Sequence, residues 1–171
     1  MPQDPKEMRR VVTGTSPDGR SVVTSDGAVA PVTIALMPGA AFSCLWGDEG
    51  RPTFPNAGTE PPYRTWFPGA GGYRFEIITI PPDAAAALPA GVDPATAIAE
   101  VEEKLPGLLA AMDKAHPGLH RTDTVDLVHI LSGRCVLQLD GGDAVTLAPG
   151  DSVAVNDARH AWKAHFDAPC T

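Results

Sequence analysis

Turn-forming pairs follow one another closely through the last third of the chain. Ser132-Gly133, Asp140-Gly141-Gly142-Asp143, Ala148-Pro149-Gly150-Asp151 and Asn156-Asp157 each interrupt a short apolar or β-branched run. Such punctuation leaves no length for helices and predicts antiparallel strands joined by tight turns. The whole chain is of the same kind, with 17 glycines and 18 prolines in 171 residues, which excludes a helical bundle. The expected class is all-β with a minor helix, built around the single core that a chain of this length supports.

Residues 1–8 are polar and are expected as a disordered arm, with 9–171 as one domain. Residues 9–13 and 20–25 are predicted to pair as a hairpin across Ser16-Pro17-Asp18-Gly19, and Asp26-Gly27 to turn the chain again. Strands are expected over 32–37, 41–46 and 73–80; in the last, Tyr73, Phe75, Ile77 and Thr79 share a face. The stretch 47–62 reads as a long polar loop, of a length that usually has a use in a compact domain. Glycines cluster in Phe67-Pro68-Gly69-Ala70-Gly71-Gly72, but no apolar strand precedes them and no helix follows, so a phosphate loop is rejected. Asp93-Pro94 is a helix start, with Asp as N-cap and Pro at the first helical position. It opens a helical insertion over about 93–115, interrupted at Pro106-Gly107. Beyond the loop His116-Pro117-Gly118, strands are expected over 119–131, 134–139, 144–147, 152–155 and 159–166.

Charge narrows the partners. Thirteen Lys and Arg stand against 21 Asp and Glu, for a net charge of −8. That balance repels nucleic acid and anionic membrane surfaces. Apolar stretches such as 84–88 are too short to span a bilayer, and the first ten residues lack the apolar segment of a signal peptide. Cys44, Cys135 and Cys170 are odd in number and widely spaced, so they read as reduced thiols of a cytoplasmic protein, with Cys135 buried and inert.

The residues that carry chemistry lie on the 119–131 strand. His120, Thr122, Thr124 and Asp126 fall on one of its faces. A half-buried strand ordinarily places Val or Leu there; an imidazole, two hydroxyls and a carboxylate need partners, a metal or water. His160 opens a later strand, which an antiparallel meander would return beside His120. His129 has the opposite parity and reads as an outer-face residue, while His116 and His165 read as loop and surface residues. Trp162 reads as out of step with His160, in core or interface. Trp46, Trp66 and Phe67 are open to two readings, core or pocket mouth. Arg74 and Arg121 suit a substrate carboxylate, although surface placement is commoner.

These residues resemble the two motifs of the cupin superfamily. The first, a glycine, His-x-His, a carboxylate and a further glycine, reads here Gly118-Leu-His120-Arg-Thr122-Asp-Thr-Val-Asp126, then Gly133. The second, a Pro-Gly-Asp turn followed by His and an aromatic, reads Pro149-Gly150-Asp151, then Arg159-His160-Ala-Trp162. The wording of the first motif is similar to that of small single-domain, cupin-2-like proteins. The resemblance covers 118–162, and reaches Trp46 and the Gly71-Gly72-Tyr-Arg-Phe stretch more loosely. Four positions depart from the pattern: Thr122 replaces the second His, Asp126 the usual Glu, Asp157 the usual Gly and Ala164 the late Asn.

The resemblance implies a double-stranded β-helix, a jelly-roll barrel with a polar site in its mouth. It implies a small-molecule enzyme of metabolism acting on a carboxylate or enol-type substrate, as a dehydratase, isomerase, decarboxylase or dioxygenase-like protein. His120, Asp126 and His160 would be both metal ligands and catalytic residues, with Thr122, Thr124, Arg74 and Trp162 as substrate contacts. The metal would be iron, manganese, zinc or nickel, with no organic cofactor. The lost second His leaves open a site without metal, and a non-catalytic cupin that only binds a small ligand. The expected assembly is a homodimer in which the N-terminal hairpin covers a neighbour's sheet edge. One further apolar strand is expected beyond Thr171, from a longer chain or from a partner.

Overall fold

The computed structural model describes residues 7–83, 89–116 and 118–171. The expected arm at 1–6, the apolar stretch 84–88 and Pro117 lie outside them. The described chain is mostly β, with one α-helix. In order come β1 (Met8–Thr15), β2 (Ser21–Val29), β3 (Ala41–Asp48), β4 (Tyr73–Thr79), α1 (Pro94–Lys104), β5 (Val125–His129), β6 (Cys135–Leu139), β7 (Ala144–Leu147), β8 (Ser152–Asn156) and β9 (His160–Lys163). No helix among the described residues is long and apolar enough to cross a membrane.

All strand pairs are antiparallel: β1 with β2, β3 with β4, β5 with β8, and β6 with both β7 and β9. The β6–β7 hairpin is thus nested inside the β5–β8 pair. The tight turns that delimit these strands are those the glycine and aspartate pairs predict. At the β8–β9 turn Asp157 adopts φ 56°, a left-handed conformation that Asp tolerates better than most residues. Its carboxylate is held in a bidentate pair by Arg121, at 2.7 Å to each oxygen.

Three expectations are corrected. Asp26-Gly27 does not turn the chain: both residues lie inside β2, opposite Val11 and Arg10, and the Asp26 carboxylate accepts both hydrogen bonds of Arg9 across the hairpin. Residues 32–37 do not make a strand beyond a single bridge between Val32 and Phe42. The helix competes for their backbone groups: the Ala35 amide donates to Glu100 at 2.8 Å, and Lys104 donates to the Thr33 carbonyl at 2.9 Å. The strand expected over 119–131 is also broken. Its first part has only isolated bridges at His120, to Met112 and to His160, and the regular strand begins only at Val125. Alternation survives the break, so that His120, Thr122, Thr124 and Asp126 are half-buried while Arg121, Asp123 and Val125 are exposed.

Two apolar clusters support this frame. Asp93 caps α1 by accepting from the Thr96 amide at 2.9 Å, and Val101 and Leu105 are then buried against Ile34, Phe42 and Trp66. Burying each of those two helix side chains contributes roughly 2 kcal/mol. The second cluster joins Ile130, Cys135, Leu137, Leu147, Val155 and Cys170. The two halves are tied by residues 170 and 171: Cys170 bridges Ile80 through hydrogen bonds of 2.7 and 2.9 Å, and the Thr171 carbonyl accepts from Leu131 at 2.8 Å. Gly133 makes room for this crossing, since a Cβ there would lie 2.1 Å from the Pro169 carbonyl oxygen.

Candidate functional site

The bridge at His120 brings the two sequence-marked histidines together. His120 and His160 exchange backbone hydrogen bonds of 2.9 and 3.0 Å, so their side chains leave the backbone side by side. Their ring centroids are 4.2 Å apart. The Nδ1 of His160 lies 2.8 Å from the Ala158 carbonyl and that of His120 lies 3.3 Å from the Gly118 carbonyl. A carbonyl only accepts, so each Nδ1 carries the proton and each Nε2 is left as a lone pair in the neutral ring. His160 is 2% exposed. Burial, and then the neighbouring imidazole of His160, hold His120 below the ordinary histidine value, against the opposing pull of the Gly118 carbonyl and Asp126.

Below the pair runs a polar ladder. Thr124 donates to Asp126 at 2.6 Å, and with its one proton so used it accepts from Thr122 at 2.7 Å. Both threonine hydroxyls are therefore engaged in a chain that orients Asp126. Two aromatic rings flank the histidines. Phe67, from the long loop between β3 and β4, stacks on His120 with ring centroids 6.4 Å apart and planes 20° from parallel. Trp162 sets its edge against His160 at 5.7 Å. Its expected parity is corrected: it lies two residues beyond His160 on the same strand, touching that ring and packing against the second apolar cluster.

Arg74 has a different place from the one its charge suggests. Its side chain is only 5% exposed, and its Nη atoms donate to the carbonyls of Asp48, Tyr73 and Thr65 and to Glu49, at 2.7 to 3.0 Å. It also lies over the Tyr63 ring, 4.7 Å from its centroid. Arg74 thus latches the loop that carries Phe67. Trp66, next to Phe67, anchors the loop in the first cluster, edge-on to Phe42. His129 is exposed on the outer face beside Ser152, His116 is exposed by Asp113, and His165 pairs with Asp83.

One residue of the site escapes the sequence reading. In β4 the aromatic Tyr73 and Phe75 face out, Phe75 with 59% of its surface exposed, while Arg74 and Glu76 face in. Beside this stretch β3 has a bulge at Leu45, where the register shifts between Cys44 and Trp46, and Glu76 stands opposite Cys44. Glu76 Oε1 is buried with no hydrogen-bond partner among the described residues. Burial pushes this carboxyl up to about 8; Arg74 opposes the rise and the nearby charge of Asp126 adds to it. The available signal was the pairing of Arg74 with Glu76 at strand spacing, a charged face opposite an aromatic one.

The donor set suits a divalent metal in its chemistry. Both imidazoles are fixed through Nδ1 on carbonyls, as metal-ligating histidines are. It is not drawn together: among the described residues, no three His, Cys, Asp or Glu side chains stand close enough to hold an ion. Compared with known proteins, the chain matches no family model, and no curated protein matches it.

Proposed function

We propose that this chain is a small cupin-like enzyme of metabolism, working on a small carboxylate or enol-type substrate at the His120–His160 pair. The observation that carries the reading is the pair itself: two adjacent imidazoles, both fixed by carbonyls and both presenting Nε2. The nesting of β6–β7 inside β5–β8 supports a double-stranded β-helix, as the motif spacing implies.

In this reading His120, kept neutral by burial, takes a proton from substrate at Nε2. Asp126, oriented by Thr124 and Thr122, faces the same space and stabilises the positive charge that forms on the imidazole. Phe67 and Trp162 restrict water at the two rings. In place of that proton transfer, a divalent metal held by His120, Asp126 and His160 would occupy the Nε2 lone pairs and supply Lewis acidity to a carboxylate or enolate oxygen. A cytoplasmic setting accords with three free thiols. A homodimer accords with the exposed apolar row of Val125 and Leu127 on β5.

The alternative is a non-catalytic cupin that binds a small ligand. The commitment of Thr122 to the ladder favours it, because a ligand of the expected metal shell is then missing. A turnover screen over small hydroxy and keto acids decides between them. Product formed by wild type and lost in His160→Ala supports the enzyme; binding without turnover, abolished by the same substitution, supports the carrier.

A further inference from the structure

We propose that Cys135 and Cys170 form a reversible disulfide, which pins the strap after β9, residues 164–171, to β6. The inference is independent of any metal and of the chemistry at the histidine pair.

The two cysteines are distant in sequence and packed together in the fold. Both belong to the second apolar cluster, Cys135 with 1% and Cys170 with 2% of its surface exposed. The strap runs alongside the turn that leads into β6. The Thr171 carbonyl accepts from the Leu131 and Ser132 amides at 2.8 and 3.2 Å, and the Ser132 carbonyl accepts from the Thr171 amide at 3.0 Å. A Cβ on Gly133 would lie 2.9 Å from the Cys170 Cα, which sets Cys170 against the chain two residues before Cys135. Across this contact the Cys135 thiol donates a hydrogen bond to the Cys170 sulfur. Two sulfurs that touch from adjacent chain segments are within the reach of a disulfide. Cys44 is placed elsewhere, on β3, with its thiol toward the Trp46 carbonyl at 3.9 Å and Glu76 opposite it.

Burial raises both thiols, and Cys135, which also donates to Cys170, is pushed up to about 12. Cys170 therefore ionises first and is the attacking group. It is reached when the strap opens: residues 165 and 167–169 are exposed, so a local opening frees Cys170 without unfolding β6. The oxidant is a low-molecular-weight disulfide. The Cys170 thiolate attacks one of its sulfurs, the oxidant's S–S bond breaks, and one small thiolate leaves and takes up a proton. The Cys135 thiolate, its proton released to water, then attacks the Cys170 sulfur of the mixed disulfide and expels the second small thiolate, which is protonated in turn. The chain loses two electrons and two protons, and the oxidant gains both. The new bond closes the chain from 135 to 170 into a loop that holds β6 to β9, His160 included. The bridge between Cys170 and Ile80 extends the clamp to the residue after β4.

The test uses the full chain, reduced and then held in oxidised glutathione at pH 8 without denaturant. The protein is acid-quenched, alkylated in urea, proteolysed and read by mass spectrometry. The Cys135 and Cys170 peptides should be joined, and Cys44 should be alkylated. The melting temperature should rise by roughly 10 °C, and dithiothreitol should reverse the rise. Cys44→Ser should respond to glutathione as wild type does, and Cys170→Ala should show no rise. A bond that involves Cys44, a bond between two chains, glutathione retained on a single cysteine, or thiols still free after overnight exposure would overturn the proposal. So would a Cys135–Cys170 bond that forms only when the oxidant is added in urea, or one that leaves the melting temperature unchanged.

Discussion

His120 and His160 are joined by two backbone hydrogen bonds, at 2.9 and 3.0 Å, and their rings meet at 4.2 Å. His160 opens β9, but His120 lies outside the regular strands and meets it by a single bridge. The bridge sets one imidazole on each of two chain segments, so any disturbance that parts the segments parts the site.

The first prediction concerns pH. The Glu76 carboxyl lies at about 8 in the folded chain, against an ordinary value of 4.5. Its favourable contribution is full below the ordinary range and is lost as the pH rises through about 8, where folding must bury a carboxylate. Metal-free wild type should therefore lose stability between pH 5 and 9. Glu76→Gln should nearly match it near pH 5 and exceed it near pH 9 by on the order of 4 kcal/mol, since a tenfold change in proton affinity is worth about 1.4 kcal/mol. Urea unfolding at the two pH values measures this, and parallel curves for the two proteins would refute it.

Arg74 should behave as a latch. Arg74→Ala removes bonds to three carbonyls and leaves Glu49 with only the Arg64 amide, at a cost of about 2–3 kcal/mol. Hydrogen exchange should quicken in residues 49–72 before it quickens in β6 or β9. Uniform loss of protection across the chain would mean that Arg74 has no special hold on the loop.

At Asp157 strain and charge oppose one another. Asp157→Gly relieves the left-handed φ and gives up only an exposed ion pair, so stability should change by less than about 0.5 kcal/mol. Asp157→Ala gives up the pair and keeps the strain, and should cost about 1 kcal/mol. Equal costs for the two variants would show that the conformation matters little.

For assembly, Leu127 is 83% exposed on β5, with Val125 and Val145 also bare. Leu127→Lys should convert a micromolar dimer to monomer in sedimentation velocity. A wild type that sediments only as monomer at that concentration contradicts the expected homodimer.

Much of the frame is legible in the residues, and for physical reasons. Asp140-Gly141-Gly142-Asp143 and Pro149-Gly150 specify turns because few other residues adopt those backbone angles. Parity along 119–131 picked out the half-buried polar face even though the regular strand starts only at Val125. What escaped depends on contacts distant in sequence. Glu76 was hidden because the aromatic side of β4 looks like the inner one, whereas the folded chain exposes Tyr73 and Phe75 and turns Arg74 and Glu76 inward. Residues 32–37 have the composition of a strand, yet Glu100 and Lys104 of α1 take up their backbone groups. Arg74 has the charge of a ligand-binding residue, but the carbonyls of a folded loop claim it.

The most direct measurement is long-range proton–nitrogen NMR of the histidine rings, on metal-free protein at pH 8, before and after addition of Zn2+. His120 and His160 should both carry their proton on Nδ1, and both Nε2 resonances should shift together with one equivalent of ion. Protons found on Nε2, or zinc shifts confined to the exposed His116, His129 and His165, would contradict the paired-imidazole site.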